Sequence, residues 1–513
     1  MTKPNFSAPC TSGLLALLIA GSLVISPQQL LSQTLISPAF NTGVNKKKEK
    51  ADPPEVQLTI TAAESPDPLL RYRLWPAVEK RRNISVNDIV SRAIIHTIQA
   101  SKSDSTYSPQ KFVEWESLPL DEMPIEDAKK AIRPYGLALA ELKRGETLMR
   151  NDYDIQLDDL SPRELIGTLL PELQQGRLLS RVLCLRARIS AAEHRWEDMI
   201  DDCRLGFRLA EITGKSTDFL VSRLVGQSIA QVTMRVLEDA ITQADPPNLY
   251  WALASVPAEN LFEIRESLEY GSVPFSRILK DVSNLPDTSI GEDQARAKLL
   301  ELIKILTEMS ETSLISAALS AALDSDTQQL AAGTFVIAIA EQSRDTLADT
   351  DQWRDRVDDL SDSEAVLRAT VLEVKRMRDT YLAWSLLPDY LWDSYSKERN
   401  AIFDESGDSF NPATMLVLQL PPAVGAAKKA GMCSMQQYNF LLTLEALRMH
   451  AAETDQLPET IDGLRPVPAR RDSLSQKNFG YQRTNPHSAT MTRQPRHERD
   501  TETTFEIKLK GKP

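Results

Sequence analysis

The chain is poor in glycine, histidine and cysteine, with 19, 5 and 4 of them among 513 residues. Glycine stands at about half its usual share, which disfavours folds that cradle cofactors on glycine-rich turns. Few histidines and cysteines leave little material for metal sites, and no C-x-x-C spacing is present. A basic excess is also missing. Lys and Arg number 59 against 72 Asp and Glu, for a net charge of −13. A dedicated nucleic-acid binder needs a basic surface to displace counterions, so that class is set aside. After residue 25 no apolar run is long enough to suggest a membrane span.

The one long apolar run lies near the N-terminus. "GLLALLIAGSLVI" (13–25) follows Lys3 and ends at Ser26-Pro27, the pattern of an export signal. Pro27 spoils a cut after Ser26, which leaves an uncleaved anchor as the alternative. Cys10 precedes the apolar run, whereas a lipoprotein cysteine would follow it. Residues 34–55 then form a polar linker with the basic run "KKKEK" (46–50), and "VQLTI" (56–60) alternates like a short strand.

From about residue 85 to 450 helical periodicity dominates. Leu178, Val182, Leu185 and Ile189 make one stripe, and Trp196, Ile200, Cys203, Phe207 and Ala210 make a second. Only "EHR" (193–195) lies between them, so the two helices must fold back as an αα-hairpin. Further helices are expected at 217–243, 294–323, 327–348 and 362–387, with "ADPPNLYW" (244–251) as a stop. Phe440, Leu444, Leu447 and Ala451 mark a late helix. "FGYQR" (479–483) and "FEIKL" (505–509) alternate like strands and suggest an appended β-hairpin.

Four constellations invite a chemical reading. "LAEITGKS" (209–216) closes like a phosphate loop, but Leu209 stands where the opening glycine belongs, and a helix precedes it. Gly214 is instead expected as a left-handed helix end, with Ser216 or Thr217 capping the next helix. "EHRWEDMIDD" (193–202) places His194, Asp198, Asp201 and Asp202 at spacings that suit a metal, yet acids also gather in a first helical turn to meet its dipole. These acids lie off the apolar stripe and are expected to face solvent. Cys184 and Cys203 flank the turn at similar heights, where a disulfide would contribute about 3 kcal/mol. Two buried thiols are the expected state. His450, with Glu445 and Glu453, is expected on an exposed charged helix face. No G-x-S-x-G or H-E-x-x-H occurs. No residue is therefore assigned as catalytic, cofactor-binding or metal-ligating, and no cofactor or nucleotide is expected.

Three resemblances follow from these stretches. Ala187, Trp196 and Phe207 give the 178–211 hairpin a packing pattern that resembles a tetratricopeptide unit, although Met199 stands where a small residue is usual. No clear 34-residue period surrounds it. Over most of its length after the signal the chain resembles a group of large exported planctomycete proteins of unknown function. The stretches that carry this are "VQLTITAAESPDPLLRYRLWP" (56–76), the segment 178–230, "PPNLYWALASVP" (246–257) and "EALRMHAAETDQLPETIDGLRPVP" (445–468) followed by "FGYQ" (479–482). That group brings no activity and no catalytic residues. Segment 445–482, a helix then "LPETIDGL" then an F-x-Y strand, looks like the globular part of pseudopilins. "ARRDSLSQKN" replaces their usual D-P-x-T-G turn, so the calcium-binding or turn role of that motif is not carried over.

The expected fold is mainly α: stacked antiparallel helical hairpins, tetratricopeptide-like in part, with a small α+β C-terminal segment. The expected division is 1–33 signal peptide or anchor, 34–55 linker, 56–430 helical-hairpin domain with a split near 245–295, and 435–513 helix plus β-hairpin. The expected role is that of an exported, periplasmic or envelope-bound protein that acts as a non-catalytic scaffold or protein-binding module. Its partners would be envelope proteins, not nucleic acids or nucleotides, and it would touch the membrane only through an uncleaved N-terminal segment. The alternatives are an envelope-acting hydrolase with a site scattered over helices, or an architectural component related to secretion machinery.

Overall fold

A computed structural model describes residues 55–103, 108–151, 162–217, 219–271, 285–310, 325–392, 394–405, 420–494 and 503–510. The expected signal and nearly all of the linker lie outside them. The protein is mainly helical with a small C-terminal sheet. Its packing divides the chain into two compact units, one drawn from 34–268, 388–391 and 427–513, the other from 1–33, 269–387 and 392–426.

The larger unit begins with strand β1 (Glu55–Thr61). A short parallel ribbon follows, β2 (Arg82–Ser85) against β3 (Leu148–Arg150). Between these strands come helices α1 (Asn87–Ser103), α2 (Pro109–Ser117), α3 (Ile125–Ile132) and α4 (Gly136–Gly145). The hairpin is formed by α5 (Pro162–Ala192) and α6 (Trp196–Gly214). His194, at φ 56°, closes it: Arg195 N–H donates to Ser190 O at 2.8 Å and His194 N–H to Ala191 O at 3.1 Å. This pairing satisfies the last carbonyls of α5 through a left-handed residue.

Helix α7 (Leu220–Ile241) packs on α6 along a seam of small residues. Gly206, Ala210 and Gly214 line one side; Gly226 faces Ala210 and Gly214, and Thr233 faces Gly206. A Cβ at Gly226 would lie 2.5 Å from Ala210 O and 2.7 Å from Gly214 Cα. This corrects the expectation for "TGKS". Gly214 ends α6 as expected but without entering the left-handed region, and it is Gly226 opposite whose missing side chain lets the two helices approach. Ser216 Oγ bonds back to Thr213 O at 2.9 Å, and the N-cap of α7 is Phe219, whose N–H donates to Thr217 Oγ1 at 3.3 Å.

Three short helices follow, α8 (Tyr250–Ala254), α9 (Ala258–Phe262) and α10 (Arg265–Gly271). In the smaller unit lie α11 (Glu292–Ser310), α12 (Ser325–Ala348), α13 (Asp362–Ser385) and α14 (Ser396–Glu405). The helix expected at 294–323 is seen as far as Ser310, and its remainder lies outside the described residues. Glu364 organises this unit: fully buried, it accepts from Ser289 Oγ, from Ile290 and Gly291 N–H and from Arg368, whose guanidinium sits 4.2 Å over the Trp353 ring.

Helix α15 (Leu420–Thr454) is buried almost all round from Gly431 to Met449. The sheet that it packs against has the order β1–β6–β5–β4, with β4 (Gly480–Asn485), β5 (Ser488–Arg493) and β6 (Thr503–Lys510). Phe440 on α15 meets Phe505 at 4.5 Å and Phe479 at 5.4 Å between ring centroids. Inward Phe505, Ile507 and Leu509 alternate with outward polar residues, as a half-buried strand requires. The stretches 479–483 and 505–509 are thus not hairpin partners: β5 lies between them, and β6 also pairs in parallel with β1.

Candidate functional site

Arg177, Arg181, Cys184 and Arg188 step four, three and four along α5, so they share one face. That face meets the end of α2 and the end of α7. Arg181 Nη1 donates to Glu116 Oε2 at 2.8 Å, and Arg188 Nη1 donates to Glu116 O at 3.1 Å. Arg188 also reaches Leu118 O and the Asp239 carboxylate. One side chain therefore joins the α2 exit, the hairpin and α7.

Burial dominates the ionisation of this layer. It pushes the Glu116 carboxyl above its ordinary range, although Arg181, Arg235 and Arg188 pull it down. It pushes Asp239 up to about 6 against the pull of Arg188. Arg177 falls to about 10 through burial and repulsion from Arg181, and burial raises the Cys184 thiol. Glu116 Oε1, Arg177 Nε and Arg188 Nε are buried without a hydrogen-bond partner. A carboxyl raised by burial is the raw material of general acid catalysis. Glu116, however, is buried in the helical layer, its side chain 8% exposed and one of its carboxylate oxygens held by Arg181.

The acidic stretch of α6 is split by the packing. Asp198 faces solvent and pairs with Arg195. Asp201 is half exposed and bonds Lys143 and Arg204. Asp202 departs from the expectation of exposure. It is buried, takes two hydrogen bonds from Arg186 at 2.9 and 2.5 Å, and is pushed up by burial. The reason is that α6 is a central helix, flanked by α5 and α7 and by the strap Arg71–Trp75, so it has little solvent face past its first turn. Arg204 donates to Arg73 O at 3.1 Å, and Arg208 lies 5.2 Å over the Trp75 ring. Among the described residues no group of three His, Cys, Asp or Glu is placed to hold a metal ion.

Cys184 and Cys203 are buried and unbridged, and Cys203 Sγ lies 3.6 Å from Met199 Sδ. The "TGKS" end of α6 borders a cleft lined by apolar residues such as Val90, Leu173, Leu179 and Ile212, with Glu172, Thr213 and Ser216 as its polar members. Its volume is about 30 Å³, space for a water or two.

His450 Nδ1 lies 3.3 Å from Arg465 O and Glu453 is exposed, but Glu445 is not on a charged face. Glu445 and Arg448 form a buried pair, 1% and 0% exposed, at 2.7 Å. Arg448 also donates to Thr61 O (3.0 Å), Pro246 O (2.6 Å) and Pro247 O (3.3 Å), and Ala63 N–H donates to Arg448 O (3.1 Å). Asn248 Nδ2 holds Glu445 O at 2.9 Å. Burial raises the Glu445 carboxyl despite the neighbouring guanidinium. This knot joins β1, the loop after α7 and α15. Leu441, Glu445, Arg448 and Ala452 step four, three and four, so the pair lies on a stripe that opens with an apolar residue, the one signal that could have marked it.

Comparison with known proteins returned no matching family model, no matching curated protein and no matching solved structure.

Proposed function

We propose that the protein is an exported scaffold or protein-binding module of the cell envelope, built on stacked antiparallel helical hairpins of partly tetratricopeptide-like character. One observation carries this reading. In the larger unit the buried carboxylates Glu116, Asp202 and Glu445 are each engaged by an arginine, and Arg188 and Arg448 also take backbone carbonyls from other segments. Such arginines fix geometry between distant stretches of chain, a use suited to a rigid binding surface more than to turnover. The export signal and the likeness to exported planctomycete proteins support the envelope location.

The test is crosslinking capture of the full chain in its native envelope, alongside incubation of the purified protein with envelope polymers. A scaffold gives a reproducible protein partner and no polymer turnover. Turnover of a polymer with no partner captured would replace this reading with the hydrolase.

A further inference from the structure

The residues that lead into the β2–β3 ribbon set exposed aliphatic side chains beside a run of cations on an acidic chain. From Val78 to Ile84 every residue, Val-Glu-Lys-Arg-Arg-Asn-Ile, is exposed. Val78 is 70% and Ile84 52% exposed, on a turn and a short strand whose backbone is already engaged: Arg81 N–H donates to Val78 O at 3.1 Å and Arg82 N–H to Thr147 O at 2.9 Å. Between them stand three consecutive cations, Lys80, Arg81 and Arg82, against one carboxylate, Glu79. Among the described residues none of the three forms an ion pair, and Arg81 spends one N–H on Pro76 O at 2.9 Å. Arg82 to Ile84 are exposed in succession, in a strand whose register with β3 shifts between Arg82 and Ser85.

We propose that this ribbon is a docking surface for an anionic lipid bilayer. A bilayer interface asks for isolated apolar tips that enter the acyl boundary beside cations that meet the headgroups, and that is what the segment presents. A protein partner would call for a packed pocket around an anchor residue, and the two aliphatic side chains here project singly. Charge decides the lipid class: a chain of net charge −13 is repelled by an anionic surface except where a local positive cluster faces it. The inference goes beyond the scaffold reading and does not depend on it.

The test is co-sedimentation of the full chain with vesicles of phosphatidylcholine alone and of phosphatidylcholine with 30% phosphatidylglycerol, about the anionic content that gives a marked surface potential. The wild-type partition coefficient is expected to rise at least about tenfold with the anionic lipid and to lose that gain at high salt. Lys80→Glu/Arg81→Glu/Arg82→Glu is expected to abolish most of the gain. Val78→Asp/Ile84→Asp, at two solvent-exposed positions, is expected to lower binding to anionic vesicles by about fivefold or more. Equal wild-type binding to both vesicle types overturns the proposal. So does retention of the anionic preference by the triple-charge variant, which would transfer it to the linker run 46–50. Urea midpoints equal to wild type show that both variants are folded.

Discussion

Replacing Arg448 by methionine removes the guanidinium while keeping most of the buried stem, and the knot it leaves open sets the size of the effect. The side chain is fully buried and holds Thr61 O, Pro246 O, Pro247 O and the Glu445 carboxylate at 2.6–3.3 Å. Breaking a buried pair by removing one partner costs about 3–5 kcal/mol. Each buried carbonyl left without a donor adds about 1–3 kcal/mol, less where water can enter. Protonation of Glu445, whose carboxyl is already raised, limits the first contribution. A loss of at least about 4 kcal/mol is therefore expected for Arg448→Met. Glu445→Gln in the same chain should recover about 1–3 kcal/mol, because no charge is then stranded. Urea unfolding with an unchanged m-value measures both, and hydrogen exchange reports where the loss falls. Ala63 N–H, which donates to Arg448 O, and the amides of β1 should exchange first. A change below about 1 kcal/mol, with β1 still protected, would refute the argument and place this pair among those that apolar residues replace without loss.

Further perturbations test the helical layer. His194→Gly relieves a left-handed residue at the end of α5 and should stabilise the larger unit by about 0.5–1 kcal/mol in chemical denaturation. Gly226→Ala forces a Cβ against the α6 backbone and should destabilise by about 2 kcal/mol or more, read from the shift in urea midpoint. Asp239 is raised from 3.8 to about 6 in the folded protein, so the native state holds its proton more tightly than the unfolded chain. The stability this contributes is full below about pH 4 and is lost as pH rises through 6, and Asp239→Asn should flatten that part of the Tm–pH curve. Cys184 and Cys203, both buried with thiols raised by burial, should resist a thiol reagent at pH 8 until denaturant is added, as mass spectrometry of labelled peptides would show.

Local periodicity made the helical hairpin legible. Its stripes repeat within seven residues, and the short link at 193–195 left the chain no choice but to reverse. The strand at 55–61 was equally readable from its alternation. The sheet was not, because its order depends on pairings that no local pattern encodes. Strand β5, "SATMTR", carries its inward Ala489 and Met491 among polar residues, and β1 finds β6 across more than four hundred residues. Gly214 ends α6 as read, though not in the left-handed conformation, and the seam beside it stayed hidden because Gly226 lies on the next helix. Charged residues misled in the same direction. Asp202, Glu445 and Arg448 look solvent-facing by type, and packing on several sides of α6 and α15 takes them inside. Among the candidate sites, the sequence located the acidic stretch of α6 but not the arginines that neutralise Asp201 and Asp202.

The parallel pairing of β1 with β6 gives the larger unit a definite response to tension. A pull toward the N-terminus on Glu55 and toward the C-terminus on Lys510 acts at opposite ends of two strands that run side by side in register from Glu55↔Thr504 to Thr61↔Lys510. Under such a load the strands must slide past one another, so the hydrogen bonds between them share the force and yield together. An antiparallel pair pulled from adjacent ends would open one bond at a time. A chain held at its N-terminal side and drawn upon from beyond β6 would thus carry the strain across this ladder before its helices felt it. The parallel β1–β6 ladder is the mechanical clamp of the larger unit.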